Sequence, residues 1–321
     1  MSQLLIVGCG YVGRPVARAW QQLHASAVAA GTAVGDTERG AAWALTRGGS
    51  SRAELETLGI PCIEGDWLQP QNSLPASQSL GLQSPAASDF RHLLVAVPHR
   101  PDERFGVNTH AIGIENLLRM LPNLESIVVL STTGVYAQAD GETVNEDSPA
   151  EPTRPGPQLA LAAERRLREL AGAGVQAISL RLAGIYGPQR IPLLSKLQTG
   201  EPLPVADSGS INLIHIDDIT TAIVRLLRER VDRSLYVLSD GEPAGRREFY
   251  RAMADAFGTP PPNFTDPAPE SSRGARSETN KRIDPSRLLN ELQLQLRFPD
   301  FRMGLASIAQ GASSQTVNSA R

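Results

Sequence analysis

The sequence predicts an α/β protein built on a doubly wound parallel sheet. Short runs rich in Val, Ile and Leu alternate along the chain with amphipathic helical stretches, the order that lays helices over both faces of one sheet. The runs are apolar throughout rather than every second residue, as strands buried on both faces should be. The first run is followed at once by three glycines in "LLIVGCGYVGRPVARAW", a strand-to-helix turn with room for a ligand.

Taken in chain order, a strand at Leu4–Val7 leads into a helix at Arg14–His24. The strand Ala42–Thr46, "AWALT", leads into the helix Arg52–Leu58, and Pro61–Ile63 forms a third strand. Leu93–Val97 precedes a helix over Phe105–Met120, and Ser126–Leu130 precedes one over Gln158–Ala171. Ala177–Leu182 and Leu235–Leu238 complete the strands, with helices at Asp217–Arg230, Arg246–Phe257 and Pro285–Glu291. Two segments interrupt this rhythm. Ala25–Gly40 is longer than the usual connection between a first helix and a second strand. Pro70–Ser88 is rich in Ser, Pro and Gln, the composition of a mobile surface loop. The polar tail from Gln310 is expected to fray.

Composition narrows the function. The 321 residues are 41% hydrophobic, enough for a large core. A net charge of -3 and a pI near 6.0 provide no basic field for nucleic acid or an anionic membrane. No run approaches the ~20 apolar residues of a membrane span, and no leader-like segment precedes Leu4, so the cytoplasm is the expected location. Cys9 and Cys62 are too few for a disulfide framework, and no Cys/His cluster has metal-ligand spacing. The expected partner is a small molecule, with the chain a monomer or homodimer.

Gly8, Gly10 and Gly13 form G-x-G-x-x-G. Gly8 permits the tight turn, Gly10 lets a pyrophosphate approach the backbone, and Gly13 lets helix and strand pack closely. Tyr11, Val12 and Arg14 complete the turn, and the helix amino terminus offers unpaired N–H groups and a positive dipole to the phosphates. At the end of the second strand an acid would accept from a ribose 2'-hydroxyl, whereas an arginine would pair with a 2'-phosphate. "AWALT" ends in Arg47, and Arg14 can add charge, which favours NADP with NAD as the other possibility. A competing reading takes Ser26–Ala30 as the second strand and Asp36 or Glu38 as the ribose acid.

With "GCGYVG", "IEGDW", "VVLSTTGVYAQADGETVNEDSPAEP", "RLAGIYGPQR", "NLIHIDDIT", "LYVLSDGEPAGRREFY" and "NKRIDPSRLLNEL" in order, the chain resembles extended short-chain dehydrogenases/reductases of the NAD-dependent epimerase/dehydratase group, and most of all their atypical branch. The resemblance spans most of residues 3–305. It implies a Rossmann-type nucleotide domain over 1–182 and 211–238, a small substrate-side lobe over 183–210 and 239–309, and a flexible tail over 310–321. It also implies a nicotinamide cofactor and, often, a nucleotide-sugar substrate. By position, Asp66 matches the residue near the adenine, and Val95, Ala96 and Val97 match the strand end behind the cofactor. Ser131 matches the family's catalytic hydroxyl, with Thr132 and Thr133 beside it; a strand-end residue bonding its own backbone is the alternative.

The resemblance then breaks. The family's tyrosine and lysine positions hold Gly156 and Ala160, and since Lys196 and Lys281 are the only lysines, no Tyr-x-x-x-Lys exists anywhere. A tyrosine there moves a proton at the substrate oxygen, and the ammonium lowers its pKa. Losing such a group removes a contribution of roughly 10²–10⁴-fold. Tyr136 in "STTGVY" and Tyr186 in "GIYGP", with Arg190 four residues on, are possible substitutes, although both also read as packing or substrate-wall aromatics. His215 in "IHIDDI" is a further candidate base or a structural histidine ahead of the capping Asp217 and Asp218. Leu213 stands where a basic residue often precedes it, which argues against phosphate-bearing sugar nucleotides. Asn280, Lys281 and Arg282 could hold an anionic group or simply lead into a solvated helix. Two functions follow: an atypical NADP-dependent reductase, epimerase or dehydratase on a small oxygenated substrate, or a catalytically silent dinucleotide-binding sensor or scaffold.

Overall fold

A computed structural model describes residues 3–30, 41–69, 85–106, 108–172, 174–266 and 280–318, with side chains as far as 311. The seven expected strands are all present: β1 (Gln3–Val7), β2 (Ala42–Thr46), β3 (Cys62–Glu64), β4 (Phe90–Val95), β5 (Ser126–Thr132), β7 (Gln176–Leu182) and β12 (Leu235–Leu238). They form one sheet in the order β12-β7-β5-β4-β1-β2-β3. The pairs β1–β2, β1–β4, β2–β3 and β4–β5 are parallel. The strand order reverses between β1 and β4, and in such sheets ligands bind outside the carboxyl ends at that reversal.

The helices are α1 (Gly13–Ala29), α2 (Ser50–Thr57), α3 (Thr109–Met120), α4 (Pro155–Leu170), α5 (Leu194–Gln198), α6 (Ile216–Arg228) and α7 (Arg246–Phe257). Two more follow, Ser286–Glu291 and Phe301–Asn318, the latter running through part of the polar segment read as tail. The α1 helix continues five residues past His24 because "ASAVA" is alanine-rich and breaker-free. That removes Ser26–Ala30 as a second strand and leaves Arg47 at the end of β2. Asp36 and Glu38 lie outside the described residues, as does most of Pro70–Ser88.

The chain divides into two compact units. One comprises 1–135, 152–181 and 220–236; the other comprises 136–151, 182–219 and 237–321. The first holds a core of Leu5, Val7, Leu93, Val95, Ile127 and Val129 from the sheet with Ile114 and Leu117 of α3. Within this apolar interior lies a buried ion pair: Arg181 of β7 donates from Nε and Nη2 to the two Glu164 oxygens of α4 at 2.9 and 2.6 Å. Glu164 is 1% and Arg181 3% exposed.

The second unit is built from short ladders. These are β6 (Thr143–Val144) with β15 (Arg282–Ile283), β8 (Gly184–Tyr186) with β11 (Leu213–His215), β9 (Leu203–Pro204) with β14 (Phe264–Thr265), and β10 (Ser210–Ile211) with β13 (Ala244–Gly245). Its core joins Tyr186, Phe249, Tyr250, Met253, Phe301 and Leu305. No helix among the described residues is long and apolar enough to cross a membrane.

Removing one partner of a buried ion pair leaves an uncompensated charge, at about 3–5 kcal/mol. Glu164→Leu should therefore lose roughly that much unfolding free energy in urea denaturation. A loss under about 1 kcal/mol would mean that Arg181 finds other compensation.

Candidate functional site

The glycine turn joins β1 to α1. Gly8 has φ +85, and a Cβ there would stand 2.7 Å from the Ala96 carbonyl carbon and 2.8 Å from the Val97 nitrogen. Only glycine permits that approach. Gly13 opens α1, and a Cβ on it would meet Ile6 Cγ2 at 3.0 Å and the Gly8 carbonyl at 3.1 Å. Gly10 differs: nothing lies within 4 Å of its Cβ direction. Two glycines thus serve packing, and the third leaves space beside the amino terminus of α1, which has no side-chain cap and no acid in its first turn. Tyr11 is half-buried and Val12, the residue before the helix, is buried. Cys9 is an inert thiol, since burial pushes its pKa up to about 12.

Behind this turn, Val95 ends β4 and is fully buried, the Ala96 N–H donates to the Val7 carbonyl at 2.8 Å, and Val97 packs on the core. The outer strands carry a charged rim. Arg47 is exposed past the end of β2, followed by Gly48 (φ +86) and Gly49 (φ +69), which lead into the uncapped start of α2. Arg14 is not available in the way its position promised, because Glu54 of α2 binds its guanidinium through two 2.7 Å bonds. Asp66 accepts from the Leu68 N–H and from Arg104 Nη2 at 3.3 Å, and Arg104 also grips Asp102. Hydrogen bonds from Arg104 hold the Asp102 carboxyl down to about 2, with Arg47 adding a smaller Coulombic pull. Asp102 and Arg104 were missed in the sequence; the spacing Asp-x-Arg after the fourth strand was the available signal.

At the end of β5, strand alternation separates the hydroxyls. Ser131 is buried and donates to Glu164 Oε1, so it completes the Arg181–Glu164 pair instead of lying open to a ligand as the sequence alone predicts. Thr132 is half-buried, and its Oγ1 accepts from the Gly134 N–H at 3.0 Å. Thr133 is buried in the turn Thr133–Val135. The point where a Cβ would stand on Gly134 is 3.1 Å from Arg154 Nη2 and 3.2 Å from Thr132 Oγ1, which places a guanidinium and a hydroxyl beside Gly134. Arg154 was also missed; it immediately precedes α4.

Gly156 lies in the first turn of α4, where a Cβ would approach the His99 carbonyl at 3.3 Å. Ala160 is fully buried one turn before Glu164. His99 stacks on His110 at 4.5 Å, and His110 Nε2 lies 3.2 Å from the Val97 carbonyl. Burial, and then the neighbouring His110, holds His99 down to about 3.

In the second unit the substitute candidates are structural. Tyr136 is fully buried and donates to the Asn145 carbonyl at 2.6 Å, so its phenol is committed. Tyr186 is fully buried with its hydroxyl against Gly304, and burial pushes its pKa up. His215 is 2% exposed, accepts from the Asp217 N–H through Nδ1 at 3.2 Å, and lies 4.0 Å from the Phe298 ring; burial lowers its pKa. Arg190 is exposed in a tight turn paired with Gly187. Lys281 is buried and donates to the Tyr136 carbonyl, Asn280 accepts from the Ser210 N–H, and Arg282 is exposed in β15. None of the three gathers into an anion grip.

Comparison with known proteins places this geometry. The family model described as "NAD dependent epimerase/dehydratase family" matches residues 4–238. Protein YeeZ of Escherichia coli (strain K12) is 27% identical over 303 residues, covering 94% of this chain and 97% of that protein. The structure of a conserved protein of unknown function from Silicibacter pomeroyi superposes with a TM-score of 0.74 at 23% identity, covering 97% of this chain and 99% of that one. The UDP-glucose 4-epimerase of Thermotoga maritima, solved with UDP-glucose, also gives 0.74 at 14% identity, covering 98% of this chain and 99% of the other.

The His99 imidazole makes stability pH-dependent. Its folded pKa, about 3, lies below the ordinary 6.5, so the unfolded chain takes up a proton that the folded one refuses. Stability is then full above about 6.5 and falls as the pH drops toward 3. His99→Phe should flatten that fall between pH 7 and 5 in denaturant titrations; an unchanged slope would show that His99 does not carry it.

Proposed function

The chain belongs to the NAD-dependent epimerase/dehydratase family, and on that footing we propose that it binds NADP(H) in preference to NAD(H). We further propose that it acts on a small oxygenated substrate without the family's Tyr-x-x-x-Lys pair. The observation that carries the cofactor is the glycine turn, where Gly8 and Gly13 are closed by the protein's own atoms while Gly10 is open. The uncapped α1 terminus would hold the pyrophosphate, Val95, Ala96 and Val97 would back the nicotinamide side, and Asp66 with Arg104 would meet the adenine. Arg47, followed by two left-handed glycines at the uncapped start of α2, suits a 2'-phosphate.

When bound, the nicotinamide supplies a hydride donor or acceptor. On the protein side, the Thr132 hydroxyl would bond the substrate oxygen and the Arg154 guanidinium would stabilise negative charge developing on it. Neither group replaces a tyrosine as a proton carrier at neutral pH, since threonine does not ionise and arginine stays charged. Proton transfer would fall to the substrate itself or to water.

One observation favours a second reading, a dinucleotide sensor without turnover. Ser131 and Tyr136 are both committed to internal bonds. A panel of small alcohols together with nucleotide sugars, added to protein loaded with NADP+, separates the two: transient absorbance near the nicotinamide band with any member supports chemistry, and silence with all supports the sensor.

Cofactor choice is tested by calorimetry. NADPH should bind more tightly than NADH, and Arg47→Ala should weaken NADPH alone by on the order of 1.5–3 kcal/mol, the range for a charged hydrogen bond. Equal losses for both dinucleotides would remove Arg47 from the 2'-phosphate.

A further inference from the structure

The second unit contains a cavity of about 490 Å³ beside the amino terminus of α7, with Asp207, Gly209, Arg246, Arg247, Glu248 and Arg251 in its wall. That volume lies within the range of small-molecule pockets. The wall holds three arginines and three carboxylates, and they are not paired alike. Arg247 is paired with Asp207, and Glu248, the acid in the first turn of α7, is paired with Arg302. Arg251 and Asp255 stand one turn apart on the helix, both at the cavity.

Arg246 has no such partner. It is 92% buried, from an exposure of 8%, and no carboxylate among the described residues bonds it. Its Nη1 donates to the carbonyls of Ala206 and Ser208 at 3.2 and 2.6 Å, and its backbone N–H donates to the Gly209 carbonyl at 2.9 Å. Nη2 and Nε have no protein acceptor among the described residues; Nη2 lies 3.6 Å from the Cβ direction of Gly209, which has φ +82 and no side chain to cover it. A buried guanidinium without an anion is costly, and burial pushes its pKa down accordingly. Two independent features therefore favour negative charge at one place. They are a fixed guanidinium fork, and a twelve-residue helix whose Gly245 cap makes no side-chain hydrogen bond.

We propose that this cavity binds the phosphoryl group of a small molecule, gripped by the free edge of Arg246 and by the Arg247 and Glu248 N–H groups in the first turn of α7. The carbonyls of Ala206 and Ser208 hold the guanidinium in place before the ligand arrives, so little side-chain freedom is lost on binding. Arg251, exposed on the next turn of α7, adds charge at the mouth. The site is separate from the glycine turn and stands whether or not the dinucleotide binds there.

The test uses pyrophosphate as probe, titrated calorimetrically into the full chain and into Gly10→Val, which fills the open space at the glycine turn. Saturable binding should persist in Gly10→Val and weaken at least about tenfold when Arg246→Gln is added, the loss of a charged hydrogen bond. Arg251→Gln, at a guanidinium with no ion pair among the described residues, should weaken it about threefold and reduce its salt dependence. Should Arg246→Gln fail to fold, the Arg251→Gln result decides. Loss of all binding in Gly10→Val alone, or an affinity unmoved by the arginine substitutions that fold, overturns the proposal.

Discussion

The carboxyl edge of the sheet depends on a missing side chain at Gly8. Because β1 and β4 are neighbours in the sheet while the chain reaches them through different crossovers, their exits meet where the strand order reverses. The backbone of Gly8 passes so close to Ala96 and Val97 that a single methyl group would force the strands apart. That closeness fixes where α1 begins and which way its amino terminus points. It also sets Val97, whose carbonyl anchors His110 and through it the stacked His99 against the start of α4.

A second constraint governs the chemistry. The buried Arg181–Glu164 pair has to have its oxygens satisfied, and Ser131 supplies one hydrogen bond to them. The Ser131 hydroxyl is thereby drawn into the interior, and adjacent Thr132 is left at the strand end. Ala160 belongs to the same arrangement. A lysine there would bring an ammonium into a fully buried position one turn from a carboxylate that Arg181 and Ser131 already occupy. At Gly156 a Cβ would meet one neighbour, the His99 carbonyl at 3.3 Å. The absence of a lysine at Ala160 is thus matched by the packing around that position.

Much of the fold was legible because the inner strands, such as Gln3–Val7 and Ser126–Thr132, are buried on both faces and make continuous apolar runs. The end of α1 was not, since "ASAVA" carries no amphipathic pattern and only its propensity marks it as helix. The two-residue ladders of the second unit were invisible: Thr143–Val144 is defined by its pairing with Arg282–Ile283, far along the chain, and no local pattern announces it. In the site, the glycines were readable by spacing. The difference between Ser131 and Thr132 was not, because alternation says only that neighbours face opposite ways and leaves open which side holds the ion pair. Arg104, Arg154 and Arg246 escaped notice for a related reason: a lone arginine in sequence looks like solvated surface until its partners are known.

The central claim is that the glycine turn divides its labour, with Gly8 and Gly13 serving the fold and Gly10 the ligand. Gly10 has no positive φ and nothing within 4 Å of its Cβ direction, so a side chain there should leave the protein intact and close the space. The decisive measurement is NADPH fluorescence titration of Gly10→Val alongside its thermal midpoint. The midpoint should stay within a few degrees of the unaltered protein, as for a surface substitution, and NADPH binding should weaken at least about a hundredfold, roughly 2.7 kcal/mol. Binding unchanged in a folded Gly10→Val protein would contradict it.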